Sequence, residues 1–128
     1  MSMIQPRHDV REGSLLVAAC LFHGFSDASR LSIVRHLALG EHRVVDLTAH
    51  LGLAQSTVSK HVACLRECGL VSARTQGRAT HYSLAHPEAT LALLEAAEQL
   101  LELTGEAVAL CPNYGTGASA ATMSGGVA

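Results

Sequence analysis

The chain has 128 residues, of which 48% are hydrophobic, and its formal net charge at pH 7 is −2. This length predicts a single domain with a buried core, and only a local basic patch could indicate nucleic-acid binding. The chain has no Trp and only two Tyr and two Phe, which favours an aliphatic, mainly helical core. It lacks a signal-peptide pattern and a membrane-length apolar run, so a cytoplasmic protein is expected, with its four cysteines as free thiols or metal ligands.

Apolar residues spaced three and four apart predict four successive helices in the first half of the chain. The second helix is expected to start at an N-cap provided by Ser26 or Asp27 and to end near Gly40. The other three helices are predicted at 11–25, 44–51 and 55–68. The fourth helix carries a core-facing stripe at Val58, Val62 and Leu65.

A hairpin and a last helix are predicted in the second half. Two alternating segments, 70–75 and 79–84, read as strands, and Gly77 suits the tight turn between them. Pro87 fits the first turn of a helix that is expected to fray near Gly105. The whole pattern divides the chain into a flexible arm at 1–10, a domain at 11–110 and a small-residue tail at 111–128.

The order of these elements is that of a winged helix-turn-helix, in which the second helix of the motif enters the DNA major groove. Polar side chains at the start of the fourth helix and on the hairpin would then reach phosphates and base edges. The predicted DNA-binding residues are Gln55, Ser56, Thr57, Ser59, Lys60, His61, Arg74 and Arg78. By charge alone, solvated polar faces of a small helical domain would be the better interpretation, but the order of elements favours DNA binding.

Two cysteines lie four residues apart on the predicted recognition helix. This step places the Cβ atoms of Cys64 and Cys68 about 6 Å apart on one side of a helix, where two thiolates could hold one soft metal ion. A single helical Cys is usually a small buried apolar residue, but the pairing weakens that interpretation here. Cys20 lies in the apolar run VAACLF, so we expect it to pack in the core, with an approach to the site from a dimer interface as the alternative.

Three segments carry a family resemblance: DASRLSIVRHLALGE, VVDLTAHLGLAQSTVSKHVACLRECGLV and RTQGRATHYSL. They resemble the ArsR/SmtB family of metal-responsive repressors over roughly residues 15–105. The resemblance implies a homodimer joined through its first and last helices, which binds operator DNA without metal and releases it when metal binds. One departure is Ala54 at the N-cap of the recognition helix, where the missing hydroxyl costs about 1 kcal/mol.

Members of this family place their metal sites on different elements. The third helix has no cysteine, and His86 has only apolar residues where its partners would lie, so two of the family's sites are not expected. The chain most resembles the CmtR-type cadmium and lead sensors, which pair two cysteines of the recognition helix with one from the C-terminal region. Cys64 and Cys68 match that pair and Cys111 falls where the third ligand belongs, which implies a Cd(II) or Pb(II) site. A C-terminal segment that leaves a dimer helix can reach across, so Cys111 is expected from the partner subunit, with Cys111 of the same subunit as the alternative.

Several alternatives remain open at this point. Three thiolates would also bind Hg(II) or As(III), whereas Zn(II) more commonly completes four ligands. A redox-responsive repressor could instead oxidise Cys64 and Cys68, although an i,i+4 helical pair is poorly placed for an unstrained disulfide. His61 is a candidate fourth ligand, but DNA contact or local packing is favoured. An enzyme is not expected, because the chain shows no paired carboxylates, nucleophile–base set or phosphate loop.

Overall fold

The computed structural model describes residues 12–112, which form five helices and one two-stranded antiparallel sheet. The elements in chain order are α1 (Glu12–Gly24), α2 (Ala28–Leu37), α3 (Val44–Leu51), α4 (Gln55–Glu67), β1 (Val71–Gln76), β2 (Ala79–Leu84) and α5 (Pro87–Leu103). The predicted mainly α winged helix-turn-helix is therefore confirmed. The predicted arm at 1–10 and all of the predicted tail beyond Pro112 lie outside the described residues.

Local side-chain chemistry explains where the helices of the motif begin and end. Of the two candidate caps for α2, Asp27 is the one used, and its carboxylate accepts a 3.1 Å bond from the amide of Arg30. Gly52 adopts a left-handed conformation, with φ of +70°, and ends α3. Ala54 precedes α4 without a side-chain cap, as the sequence predicts. The turn between α3 and α4 comprises only residues 52–54, so the two helices of the motif lie close together.

A single aliphatic core joins the helices to the wing. The predicted stripe of α4 is fully buried, and it packs with residues from α2, α3, the hairpin and α5. The core consists of Ile33, Val34, Leu37, Leu47, Val58, Val62, Leu65, Leu70, Val71, Leu84 and Leu94. Because α4 buries this face, its opposite polar face must point into solvent.

The wing is the β1–β2 hairpin, whose register runs from Val71 opposite Leu84 to Gln76 opposite Ala79. Gly77 has φ of +63° at the tip, a conformation that favours glycine. One feature was not predicted: His42 pairs with Tyr82 through two backbone hydrogen bonds of 2.8 and 3.0 Å, which fastens the wing to the α2–α3 connection. Within residues 12–112, no helix has the length and apolar character needed to cross a membrane.

Candidate DNA-reading surface and thiol site

The start of α4 presents a polar surface. Gln55, Ser56, Ser59 and Lys60 are exposed and Thr57 is half-buried, because the buried stripe occupies the other side of the helix. Lys60 makes no ion pair with any residue in the described range. This surface offers hydroxyl, amide and ammonium groups, which suit contacts with phosphates and base edges.

His61 belongs to the same helix but turns towards α2. Its Nδ1 atom lies 3.3 Å from Nη1 of Arg30, and its Nε2 atom lies 3.7 Å from the carboxylate of Asp27. The pKa of Asp27 is lowered, chiefly by the hydrogen bond from the backbone amide of Arg30 and further by the charges of His61 and Arg30. The contacts of His61 therefore fit local packing better than base contact, in line with the reservation raised from the sequence.

Arg30 is a structural residue that the sequence analysis did not identify. Its buried guanidinium donates to the carbonyl oxygens of His23 at 2.8 Å and Gly24 at 3.2 Å, while also contacting His61. It thereby connects the end of α1, the start of α2 and the middle of α4. An Arg three residues after a capping Asp is the only local signal, and it does not reveal partners so far away in the chain.

The two predicted cations of the wing differ in their surroundings. Arg74 forms a bidentate ion pair with Glu41, with N–O distances of 2.8 and 2.9 Å, and its third nitrogen donates to Gln76. The hydrogen bond from Arg74 lowers the pKa of the Glu41 carboxyl. Arg78 is exposed at the tip and makes no ion pair within residues 12–112. Arg78 is therefore the wing cation that is free to meet a phosphate.

Cys64 and Cys68 lie together at the C-terminal end of α4, and both are half-buried. The Sγ atom of Cys68 is 3.3 Å from the Sγ atom of Cys20 and 3.0 Å from the carbonyl oxygen of Cys20. Burial, followed by the thiols of Cys20 and Cys64, raises the pKa of Cys68 to about 11. The expectation that Cys20 packs in the core is wrong, since its side chain is exposed on α1 and touches Cys68.

Cys111 lies elsewhere, beside α5. Its backbone amide donates to the Glu98 carboxylate at 2.7 Å. The amide of Leu110 donates to the same carboxylate oxygen. The Sγ atom of Cys111 is 3.8 Å from the carbonyl oxygen of Leu91. Burial and the neighbouring Glu98 raise the pKa of the Cys111 thiol. Within residues 12–112 no three His, Cys, Asp or Glu side chains are arranged to hold a metal ion, so one chain does not assemble the predicted trio by itself.

Three histidines that showed no ligand spacing in the sequence lie near one another. The ring centroids of His36 and His50 are 5.0 Å apart, and those of His42 and His50 are 5.6 Å apart. The Nδ1 atoms of His36 and His42 bond to backbone carbonyl oxygens of Ser32 and Gly40. No sequence signal could have grouped them, because they come from α2, the α2–α3 connection and α3.

The fold and the exposed polar face of α4 define a winged helix-turn-helix DNA-binding protein. Residues 27–73 match the family described as bacterial regulatory protein, arsR family. The regulator CmtR of Mycobacterium tuberculosis is 40% identical over 93 residues, which cover 73% of this chain and 76% of CmtR. The chain belongs to the ArsR family, whose members are transcriptional regulators and not enzymes.

Two further relatives share less of their length. The probable mercury resistance operon repressor of Streptomyces lividans is 36% identical over 69 residues, covering 54% of this chain and 55% of that protein. The arsenical resistance operon repressor of Escherichia coli is 44% identical over 72 residues, covering 56% of this chain and 62% of that protein.

Solved structures agree with this assignment. The cadmium sensor CMTR of M. tuberculosis has a TM-score of 0.54 at 40% identity, covering 64% of this chain and 85% of that one. A homodimeric winged helix-turn-helix domain from Mycobacterium bovis has a TM-score of 0.62 at 28% identity, covering 73% and 92% of the two chains.

Proposed function

We propose that this protein is a metal-sensing transcriptional repressor, acting in the cytoplasm, which binds operator DNA as a metal-free homodimer. Cd(II) or Pb(II) binding to Cys64, Cys68 and Cys111 then releases the DNA. The observation that carries the proposal is the thiol pair at the end of the exposed α4 helix, in a chain whose relatives include a named cadmium sensor. A metal bound there would act directly on the element that reads DNA.

On the DNA side, the two α4 helices of the dimer would enter successive major grooves of a two-fold symmetric site. The direct contacts come from the exposed and half-buried polar residues of the first two turns and from the wing tip, namely Gln55, Ser56, Thr57, Ser59, Lys60 and Arg78. His61 and Arg74 act through their neighbours: His61 packs on Arg30 and Arg74 is paired with Glu41. Both therefore help to set the angle of α4 and the wing.

On the metal side, Cys64 and Cys68 supply two sulfurs from one chain, and the third would be Cys111 of the partner subunit. Thiolates select soft ions, so thiophilic metals are favoured over hard cations. Metal binding would pull on the C-terminal end of α4 and change the spacing of the reading heads, which are the two α4 helices of the dimer. A coupling of about 1–3 kcal/mol per site would lower operator affinity roughly 5–150-fold.

The direct test is a Cd(II) titration of the reduced protein bound to labelled DNA from upstream of its own gene. Fluorescence anisotropy reports release, and ultraviolet thiolate-to-metal absorption reports binding. Wild type should bind Cd(II) tightly and leave the DNA, whereas Cys64→Ser, Cys68→Ser and Cys111→Ser should each lose tight binding. A wild-type spectrum in Cys111→Ser would exclude the C-terminal thiol, and a DNA complex stable to excess Cd(II), Pb(II) and As(III) would refute the metal-sensing role.

The mercury and arsenical repressors among the relatives support a second candidate, in which Hg(II) or As(III) is the inducer at the same thiols. Release titrations with Cd(II), Pb(II), Hg(II), As(III) and Zn(II) separate the two, because the physiological ion should act at the lowest concentration. A parallel titration with peroxide tests the redox alternative, which would be favoured if peroxide released the DNA and the metals did not. The raised pKa of Cys68 opposes that alternative, since a protonated thiol is oxidised slowly.

A further inference from the structure

A third cysteine of the same chain touches one member of the thiol pair, Cys68. Cys20 of α1 lies 48 residues before Cys68, yet their sulfurs are 3.3 Å apart. The approach depends on Gly24, because a methyl group at that position would lie 2.9 Å from Cδ1 of Leu70 and 3.6 Å from Sγ of Cys68. The end of α1 therefore packs directly on the end of α4, with the two thiols at the contact.

The sulfur–sulfur distance suits a shared metal ion. Metal–sulfur bonds of about 2.3 Å, the value for zinc, place neighbouring sulfurs of a tetrahedral ion about 3.8 Å apart. The two thiols would need to separate by only about 0.5 Å to reach that spacing. A disulfide would instead require the sulfurs to approach to about 2.05 Å, a larger movement in the opposite direction. Cys20 is also exposed, so a metal ion has access to it within the chain.

We infer that Cys20 is a ligand of the metal site, so that one chain supplies three sulfurs, from Cys20, Cys64 and Cys68, and Cys111 of the partner subunit supplies a fourth. Because no three such side chains within residues 12–112 are already arranged to hold a metal ion, the three thiols must close around the ion as it binds. The inference deepens the proposed function and rests on it. As each sulfur–metal bond forms, the thiol releases its proton to solvent. The ligand set then suits a four-coordinate thiophilic ion, either Cd(II) or Zn(II).

This ligand has a mechanical consequence. α1 exposes a largely apolar surface that includes Leu16, Val17 and Phe22, and the family resemblance assigns such a helix to the dimer interface. A metal ion held by both Cys20 and Cys68 would tie that helix to the end of the recognition helix. The ion would thereby transmit its effect to the relative orientation of the two reading heads.

The experiment compares full-length wild type, Cys20→Ser and the neighbouring control Ala19→Ser, all reduced and kept free of oxygen. Cd(II) affinity is measured against a competing chelator, sulfur neighbours are counted by X-ray absorption at the cadmium edge, and DNA release is followed by anisotropy. Cys20→Ser should reduce the sulfur count from four to three. It should also weaken Cd(II) binding by at least about 10–100-fold, because that is the usual cost of losing even a residue that only hydrogen-bonds to a metal ligand. Ala19→Ser should match wild type.

The outcomes separate the two proposals. Equal sulfur counts and affinities in wild type and Cys20→Ser would overturn the role of Cys20, while the loss of binding in Cys64→Ser and Cys68→Ser would leave the proposed function intact. Failure of wild type to bind Cd(II) or to release DNA would overturn the proposed function itself. Circular dichroism of each variant shows whether it folds, and the sulfur count of the wild-type site tests the inference without any substitution.

Discussion

At the residue scale, Cys68 combines a structural and a chemical role. It caps the end of α4, and its thiol contacts both the sulfur and the carbonyl oxygen of Cys20. Burial and the adjacent thiols raise its pKa to about 11, so the side chain is protonated at neutral pH. A metal ion must therefore displace a proton to bind there, and metal affinity is linked to pH through this residue.

We expect the apparent Cd(II) affinity to rise with pH by about tenfold per pH unit for each proton released. The sign follows because protons compete with the metal for the thiolates. For Cys68 the increase should persist between about pH 6 and 9, since its raised pKa lies above that window. Competition titrations corrected for chelator protonation measure the slope, which should be smaller in Cys68→Ser. An affinity independent of pH would contradict thiolate ligation.

At the scale of the elements, α4 and the wing form the proposed DNA-reading surface, and the ion pair between Arg74 and Glu41 is part of its framework. Glu41 lies between α2 and α3, whereas Arg74 lies on β1, so the pair holds the wing against the helices. The pair is exposed, and its contribution to stability is small. Arg78 lacks such a partner within residues 12–112 and remains available for phosphate.

The two arginines should consequently respond differently to replacement. Arg78→Ala should weaken binding to all DNA sequences alike and reduce the salt dependence of binding by about one phosphate contact, without changing thermal stability. Arg74→Ala should change the slope of log affinity against log salt concentration less, because the charge of Arg74 is already paired with Glu41. Operator affinity measured across a salt series provides the comparison, with Ser72→Ala on the exposed side of β1 as a control. Equal salt slopes for the two arginine variants would contradict the assignment.

At the scale of the whole molecule, large apolar side chains remain exposed at both ends of the described chain. On α1, Val17 is 72% exposed, and on α5, Leu103 is 85% exposed. Soluble monomers rarely leave contiguous apolar patches of this kind in water, whereas an interface between copies would cover them. The surface therefore supports the proposed dimer through the first and last helices, as does the homodimeric neighbour from M. bovis.

Val17→Lys should weaken the dimer at least about tenfold, because a charge would have to be buried without a partner. Operator affinity should fall with it, since two reading heads are needed to span a two-fold site. Analytical ultracentrifugation measures the dissociation constant, with Ala49→Lys, an exposed position on α3, as the matched control for added charge. If Val17→Lys sediments as wild type, α1 does not form the interface.

Much of the fold could be predicted because its signals are local. Helical and strand periodicities, the cap at Asp27 and the left-handed turns at Gly52 and Gly77 act within a few residues, so most helix and strand ends were predicted to within about two residues. The exception is at a helix C-terminus, since α2 ends at Leu37 and not near Gly40. The pairing of Cys64 with Cys68 is equally local, since it follows from one helical turn. The division into arm, domain and tail stays a prediction, because the whole arm and most of the tail lie outside residues 12–112.

What the sequence by itself determined was thus the order of elements, the polar face of α4 and the thiol pair at its end. Only the tertiary structure brought Cys20 to Cys68, Arg30 to His61 and Arg74 to Glu41, pairs separated by 48, 31 and 33 residues. Such contacts depend on how helices pack against one another, and no periodicity within a single element encodes them. Cys20 looked like a core residue in its own segment, and it became a neighbour of the proposed metal-binding pair because the end of α1 packs on the end of α4.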